Sequence, residues 1–189
     1  MTSFAAVIDA CVLYSSTLRN LFMYLSGTEL CRLKWTAQIH AEWMRNLQEN
    51  KPHLPMSKIE RTRQLMDAHV GDALVEGYER HLSAISLPDP DDAHVLAAAI
   101  HARASVIVTF NLKDFPSEET QKFGVEAQHP DEFVRDLLDL SAPSVLDAMR
   151  DMRASLKNPP LSPSELVDRF SALGLVETAR FLKPYCNGI

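Results

Sequence analysis

Acidic side chains stand at the ends of the most apolar stretches of the chain. Asp9 interrupts the apolar run FAAVIDACVLY, and Asp114 follows closely after the β-branched run SVIVTF at residues 105–110. Glu42 stands in the middle of TAQIHAEWMRNL, one residue from the apolar face of a predicted helix. Carboxylate oxygens are the ligands that Mg²⁺ and Mn²⁺ prefer. If the fold brings these acids together, they predict a metal-dependent site.

The stretch SLPDPDDAHVLAAAI, residues 86–100, places three aspartates at the start of an almost purely aliphatic and alanine helix: Asp89, Asp91 and Asp92. Helix caps and first turns favour acids, because free backbone N–H groups and the helix dipole attract negative charge. That preference accounts for two of the three carboxylates. The remaining one indicates a function beyond capping.

These acids are expected to meet at one edge of a sheet. In open parallel sheets, functional groups gather outside the carboxyl ends of the strands, and both Asp9 and Asp114 follow predicted strands. Acids collected there repel one another unless a cation neutralises them. Mg²⁺ or Mn²⁺ does this and keeps several waters, which leaves room for a substrate phosphate. The histidines are scattered and the cysteines form no CxxC pair, so the sequence does not indicate a zinc site.

Hydrophobic periodicity predicts the elements that position the acids. Residues 4–14 fit a buried parallel strand that ends near Asp9, and residues 105–110 fit a second strand. Four segments are predicted to be helical: residues 18–25, 36–50, 57–70 and 91–104. The third of these is expected to begin with Ser57 as its cap and Glu60 in a capping box. Strands that alternate with helices favour an α/β fold with a central, mostly parallel sheet flanked by helices.

The character of the chain changes near residue 141. Beyond that point no strand pattern remains, and prolines separate two or three amphipathic segments. Ser162 and Glu165 have the spacing of a capping box, with a proline at the first helical position. We therefore expect a first domain at residues 1–140 and an all-helical C-terminal extension at residues 141–189.

Composition limits the function classes. The 189 residues are 46% hydrophobic and 23% charged, which is typical of a globular protein with a real core. The net charge of −6 argues against a broad basic nucleic-acid face, although a local one remains open. Three widely spaced cysteines, the lack of a signal-peptide pattern and the lack of a long apolar run lead us to expect a soluble cytoplasmic protein with no membrane span.

Four motifs taken in order resemble those of the PIN-domain nucleases, and more narrowly the VapC-type toxins of type II toxin–antitoxin pairs. The motifs are VIDACVLYS, IHAEWMRNL, LPDPDDAHVLAAAI and VIVTFNLKDFP, and they fall within residues 4–135. The resemblance implies a PIN-like α/β fold and a set of catalytic acids that hold Mg²⁺ or Mn²⁺. Carried over by position, these acids are Asp9, Glu42, Asp92 and Asp114.

In the third motif Asp92 fits best, because Val95 and Ala99 take the following apolar and alanine positions. Asp91 is a rival, one residue out of register. In the fourth motif Thr109 and Asn111 would support the site.

The chain departs from the family pattern at two positions. Asn111 stands where an aspartate is more usual, and Cys11 stands where an asparagine or serine is common. Both changes remove polarity or charge from the expected site. They either weaken the binding of a second metal or leave Asp114 to take over that role.

The resemblance implies metal-dependent hydrolysis of phosphodiester bonds in RNA. It also implies neutralisation by a small cognate antitoxin protein and association into a homodimer. Arg45, Arg61 and Lys113 flank the acid motifs and are candidates for contacts with substrate phosphates. Each of them also fits an ordinary solvated helix or loop surface.

Two other functions fit parts of the same pattern. A catalytically weakened PIN-like protein that binds protein or RNA would explain Asn111 and Cys11, although the other acids argue against it. A phosphatase with Asp9 as nucleophile would need a second aspartate two residues later, and Cys11 stands there instead.

Overall fold

A parallel four-stranded sheet forms the centre of the molecule. The computed structural model describes residues 4–157 and 159–189. The strands are β1 (Phe4–Ile8), β2 (Cys31–Lys34), β3 (Val106–Val108) and β4 (Glu126–Gln128). They are ordered β2-β1-β3-β4, and each neighbouring pair is parallel. The α/β class expected from the sequence is confirmed.

Helices surround this sheet and form all of the regular structure after β4. The α-helices are α1 (Ala10–Tyr14), α2 (Ser16–Ser26), α3 (Ala37–Asn50), α4 (Met56–His69), α5 (Ala93–Ala102), α6 (Ser117–Thr120), α7 (Pro130–Ser155), α8 (Pro163–Ala172) and α9 (Val176–Leu182). Short 3₁₀ helices lie at Tyr78–Ala84, Pro90–Asp92, Leu112–Asp114, Gln121–Phe123 and Lys183–Gly188. Within the described ranges, none of the helices has both the length and the apolar character needed to cross a membrane.

The two central strands define the place where a site can form. The chain passes from β1 to β2 on one side and later returns to β3 on the other side of β1. The order of the strands therefore reverses between β1 and β3, which is the topological switch point where parallel sheets open a crevice. The pairing continues past the end of β1, because the Asp9 N–H donates to the Val108 carbonyl at 3.0 Å. Asp9 is thereby fixed beside the end of β3.

The alanine-rich helix α5 packs closely on these strands. Its residues from His94 to Ala99 are buried, and it contacts both β1 and β3. Small side chains let the helix approach the sheet without leaving cavities. This packing fixes the first turn of the helix, and with it Asp92, relative to the ends of the strands.

One local expectation was confirmed and one was wrong. Strand β1 ends at Ile8, directly before Asp9, and the five-residue helix α1 follows with the Asp9 side chain as its cap. Helix α4 begins after Pro55 without any side-chain cap, so Ser57 does not cap it. Glu60 instead accepts hydrogen bonds from Arg63 at 2.9 and 2.5 Å.

Helix α7 joins the sheet to the C-terminal helices. It has one non-helical residue, Ser141, with φ −159° and ψ 85°, so the helix is kinked there. The kink lies next to the expected boundary between residues 140 and 141, and that division into domains stays a prediction. Beyond it the capping box of Ser162 and Glu165 is present at the start of α8, as the sequence predicted.

Asp131 attaches the C-terminal helices to the start of α7. Its carboxylate is 8% exposed and accepts hydrogen bonds from the backbone N–H groups of Glu177 and Thr178, both at 2.8 Å. These N–H groups belong to the first turn of α9, which has no helical partner for them. Hydrogen bonds to an ionised acceptor in a buried place are among the stronger ones in proteins.

Replacing Asp131 with alanine is expected to destabilise the protein by about 2–3 kcal/mol, because one buried and one partly buried N–H group lose a charged acceptor. Urea unfolding would measure the change. Asp139→Ala is the matched control, since that side chain is 67% exposed and forms an exposed ion pair with Arg135. Its effect is expected to be below about 0.5 kcal/mol. Equal losses in both variants would contradict the attachment.

Candidate functional site

Asp9 lies at the switch point as a buried carboxylate with three donors. It is 4% exposed. Its Oδ1 accepts from the Ala10 N–H at 2.6 Å, and its Oδ2 accepts from the Thr109 hydroxyl at 2.7 Å. The bond from Thr109 connects the ends of the two central strands. These donors hold Asp9 in one orientation and leave lone pairs free for a further ligand.

Cys11 takes part in the same hydrogen-bond network. Its thiol donates to Asp9 Oδ2 at 3.1 Å, and its sulfur accepts from the Phe110 N–H at 3.4 Å. Burial, followed by the negative charge of Asp9, raises the pKa of the Cys11 thiol to about 12. The group therefore remains a protonated donor at neutral pH. The polarity that the sequence seemed to lose at this position is retained through sulfur.

Among the three clustered aspartates, Asp92 interacts with the acids at the carboxyl ends of β1 and β3, Asp9 and Asp114. We call this edge of the sheet the rim. Burial and the charges of Asp9, Asp89 and Asp114 raise its pKa from 3.8 to about 6. Asp89 acts as a cap, since its Oδ1 accepts from the Asp91 N–H at 2.9 Å. The Asp91 side chain is exposed. The negative charges of Asp9 and Asp114 therefore act on the Asp92 carboxylate.

The segment after β3 carries Asp114 to this group. The Asn111 N–H donates to the Thr109 hydroxyl at 3.0 Å, and the Asp114 N–H donates to the Asn111 carbonyl at 3.0 Å. This turn leaves the Asn111 side chain exposed and Asp114 half-buried. Asp114, rather than Asn111, therefore adds negative charge to the rim.

Glu42 on α3 has a partner that sequence reasoning missed. His94 lies two residues after Asp92 and is 3% exposed. Its Nε2 is 2.8 Å from Glu42 Oε1, although the ring N–H is not aligned for a hydrogen bond. The contact connects Glu42 to the first turn of α5. A histidine inside an otherwise aliphatic run was the one signal of it in the sequence.

The donors at the rim suit a hard divalent cation. Burial and the charges of Asp9, Asp89 and Asp114 raise the pKa of Asp92, and a bound cation would counteract this effect. Within residues 4–157 and 159–189, however, no three His, Cys, Asp or Glu side chains form a group that could hold a metal ion. The acids that the sequence predicts as metal ligands are therefore not assembled into a metal centre in this structure, and metal binding there stays a prediction.

The predicted phosphate-contact residues are exposed but lie on three separate elements. Arg45, Arg61 and Lys113 all have exposed side chains. No ion pair in the described part of the chain uses any of them. Lys113 lies directly beside Asp114, whereas Arg45 and Arg61 lie on α3 and α4. Their charges are free to meet an anion.

A groove of about 630 Å³ lies elsewhere, between α2, α4 and the C-terminal helices. Its lining includes Arg19, Met23, Met66 and Arg169 but none of the predicted acids. The acidic rim is therefore separate from this groove.

Comparisons with known proteins agree with the fold. A family model described as PIN domain matches residues 5–113, and one described as VapC50 C-terminal domain matches residues 130–184. The chain is 43% identical over 77 residues to the protein named "Putative ribonuclease VapC50" from Mycobacterium tuberculosis (strain ATCC 25618 / H37Rv). That match covers 41% of this chain and 46% of the relative, so the chain spans about half the length of the curated relative it matches. No solved structure matches the chain significantly.

The pKa of Asp92 predicts how stability depends on pH without metal. The folded protein binds the proton more tightly than the unfolded chain, so stability falls as the pH rises from about 4 to about 6 and then levels off. In EDTA, Asp92→Asn should raise the melting temperature more at pH 7 than at pH 4.5. Asp91→Asn is the control and should show no such dependence, because its side chain is exposed. A pH-independent effect of Asp92→Asn would contradict the clustering.

The Cys11 network predicts a difference between two substitutions. Cys11→Ala removes the acceptor for the Phe110 N–H and one donor to Asp9, whereas Cys11→Ser keeps both functions. The alanine variant is expected to be less stable than the serine variant by about 1 kcal/mol. Urea unfolding in EDTA would measure it. Equal stabilities would show that the sulfur contributes only packing.

Proposed function

The chain belongs to the PIN-domain family, and we propose that it is a divalent-metal-dependent endoribonuclease that hydrolyses phosphodiester bonds in RNA. The observation that supports the proposal is the half-buried Asp92, whose pKa is raised by burial and by the charges of Asp9, Asp89 and Asp114 near the switch point between β1 and β3. The relative named as a ribonuclease supports the same activity.

Asp9 and Asp92 are the proposed principal ligands of Mg²⁺ or Mn²⁺, and Glu42 and Asp114 complete the site. We choose Asp92 over its neighbour Asp91 because Asp92 is half-buried and the charge of Asp9 acts on it, whereas the Asp91 side chain is exposed. When bound, the metal supplies a water of lowered pKa and neutralises charge that develops on the phosphoryl oxygens.

The surrounding side chains keep these ligands in place. The hydroxyl of Thr109 and the thiol of Cys11 orient Asp9, and the exposed amide of Asn111 leaves the rim without a further charge. His94 holds Glu42 beside the first turn of α5. Each contact reduces the freedom of a carboxylate that must otherwise be ordered when substrate binds.

RNA is the proposed substrate because the relative that the chain matches is named as a ribonuclease and exposed cationic side chains flank the acid motifs. Arg45, Arg61 and Lys113 would contact backbone phosphates, since their charges are exposed and without ion pairs in the described residues. The net charge of −6 makes such local positive charge necessary for binding an anion.

We further propose that the protein acts in the cytoplasm as the toxin of a type II toxin–antitoxin pair. Its partners would be a small cognate antitoxin and a second copy of the chain. The matches to the PIN domain and to the VapC50 C-terminal domain support this assignment.

A catalytically weakened binding module is the second candidate function. The exposed Asn111, at a position where the family more often has an aspartate, favours it. Such a protein would still bind metal or RNA without cleaving RNA.

The test is cleavage of total RNA by the purified protein with Mg²⁺ or Mn²⁺, followed by mapping of the new RNA ends. Asp92→Asn and Asp9→Asn are expected to lower the rate by about 100-fold or more, because even residues that only support ligands change activity by 10–100-fold. Asp91→Asn is the matched control and should retain most of the activity.

Three results would decide between the alternatives. Cleavage that persists in EDTA would contradict metal dependence. Loss of cleavage in Asp91→Asn but not in Asp92→Asn would show that Asp91, rather than Asp92, is the metal ligand. A rise in melting temperature with Mn²⁺ and no cleavage by the wild-type chain would favour the binding module.

A further inference from the structure

The turn between α8 and α9 lies against the segment that carries the candidate active-site residues. Gly174 in this turn has a φ of +92°. A Cβ atom added there would lie 3.5 Å from Phe110 Cε1 and 3.9 Å from His129 Cε1. The backbone of the C-terminal region therefore packs on the ring of Phe110, the residue that follows Thr109.

Phe110 is held from a second side by His129. Their ring centroids are 5.0 Å apart with an interplanar angle of 79°, an edge-to-face arrangement. His129 is itself fixed as the cap of α7, since its Nδ1 accepts from the Asp131 N–H at 3.1 Å. Asp131 also binds the first turn of α9. The turn at Gly174 and the start of α7 thus contact the Phe110 ring from two sides and restrict its position.

The backbone of Phe110 leads directly to the acids. Its N–H donates to Cys11 Sγ, and the next N–H, that of Asn111, donates to the Thr109 hydroxyl. That hydroxyl donates to Asp9, and the Asn111 carbonyl accepts from the N–H of Asp114. A shift of the Phe110 ring would therefore move the donors of Asp9 and the segment that carries Asp114.

We propose that Phe110 is a positioning residue and that the C-terminal helical region, acting through Gly174, sets the conformation of residues 109–114 and with it the spacing of Asp9 and Asp114. This inference rests on the proposed function of these acids. It assigns the C-terminal region a part in forming the active site, besides any part in contacts with other proteins.

A local effect is expected rather than a global one. Phe110 is half-buried and Asn111 is exposed, so the ring contributes less to overall stability than the fully buried Phe133 or Phe170. Segments with few buried contacts open independently of the rest of a protein. Weakening the contacts of the Phe110 ring should therefore increase the mobility of residues 109–114 without unfolding the sheet.

The experiment uses the full-length chain and four substitutions. Gly174→Leu places a side chain against Phe110 from the C-terminal region. Gly124→Leu is the matched control, because Gly124 also has a positive φ, +70°, but nothing within 4 Å of an added Cβ. Phe110→Ala removes the ring, and Phe110→Tyr keeps it.

Hydrogen–deuterium exchange in EDTA gives a readout that does not depend on activity. Gly174→Leu and Phe110→Ala are expected to speed exchange of the amides in residues 109–115 by about tenfold or more relative to the wild type, with α3 unchanged. Gly124→Leu and Phe110→Tyr should exchange like the wild type. Unchanged exchange in both Gly174→Leu and Phe110→Ala would overturn the proposal, and Phe110→Ala decides if Gly174→Leu does not fold.

Binding and kinetics then test the consequence for the acids. The affinity for Mn²⁺, measured by calorimetry, and kcat on RNA are expected to fall by about tenfold in Gly174→Leu, with KM nearly unchanged, because misplaced groups chiefly affect the chemical step. Faster exchange without any change in Mn²⁺ affinity or kcat would overturn the link to the acids. A wild-type chain that neither binds Mn²⁺ nor cleaves RNA would instead overturn the proposed function, whatever the exchange shows.

Discussion

A buried carboxylate needs hydrogen-bond donors. The donors that Asp9 needs determine where the neighbouring strand and helix ends must lie. At 4% exposure, it would cost several kcal/mol if its oxygens were unpaired. Its donors come from the start of α1, from Cys11 and from Thr109 at the end of β3. The two central strands must therefore end side by side. The parallel order of the sheet and the packing of α5 are what make that possible.

The parts of the fold that depend on apolar composition and on the periodicity of apolar residues could be predicted from the sequence. The strand before Asp9 and the helix after Thr36 follow from apolar patterning and a capping residue, and both are confirmed. The aspartate cluster before α5 was predicted in the same way. Its division into the capping Asp89 and the half-buried Asp92 needed the structure, because one residue of register decides which side chain faces the rim.

Contacts between distant side chains were beyond the sequence. Cys11 looked like a loss of polarity, but its sulfur lies between Asp9 and the Phe110 N–H, which comes from 99 residues away. The contact of His94 with Glu42 joins two helices whose packing no local pattern specifies. Ser57 had the right spacing for a cap and was still wrong, because the helix begins at Met56, directly after Pro55, so Ser57 lies inside its first turn. Local signals compete, and tertiary contacts decide among them.

The C-terminal region offsets a cost that arises at the acidic rim. Burial and the charges of Asp9, Asp89 and Asp114 raise the pKa of Asp92, so ionisation of Asp92 lowers the stability of the folded chain. Opposing this, α8 and α9 bury Phe170 and Leu175 against the same core, and Asp131 fixes them to α7. The C-terminal region also lies against Phe110 at Gly174. Phe110 follows Thr109 at the end of β3, so this contact lies next to the rim. Under the proposed role of Phe110, the C-terminal region thus affects the alignment of the acids locally through this contact, while it stabilises the fold mainly through its buried apolar side chains and Asp131.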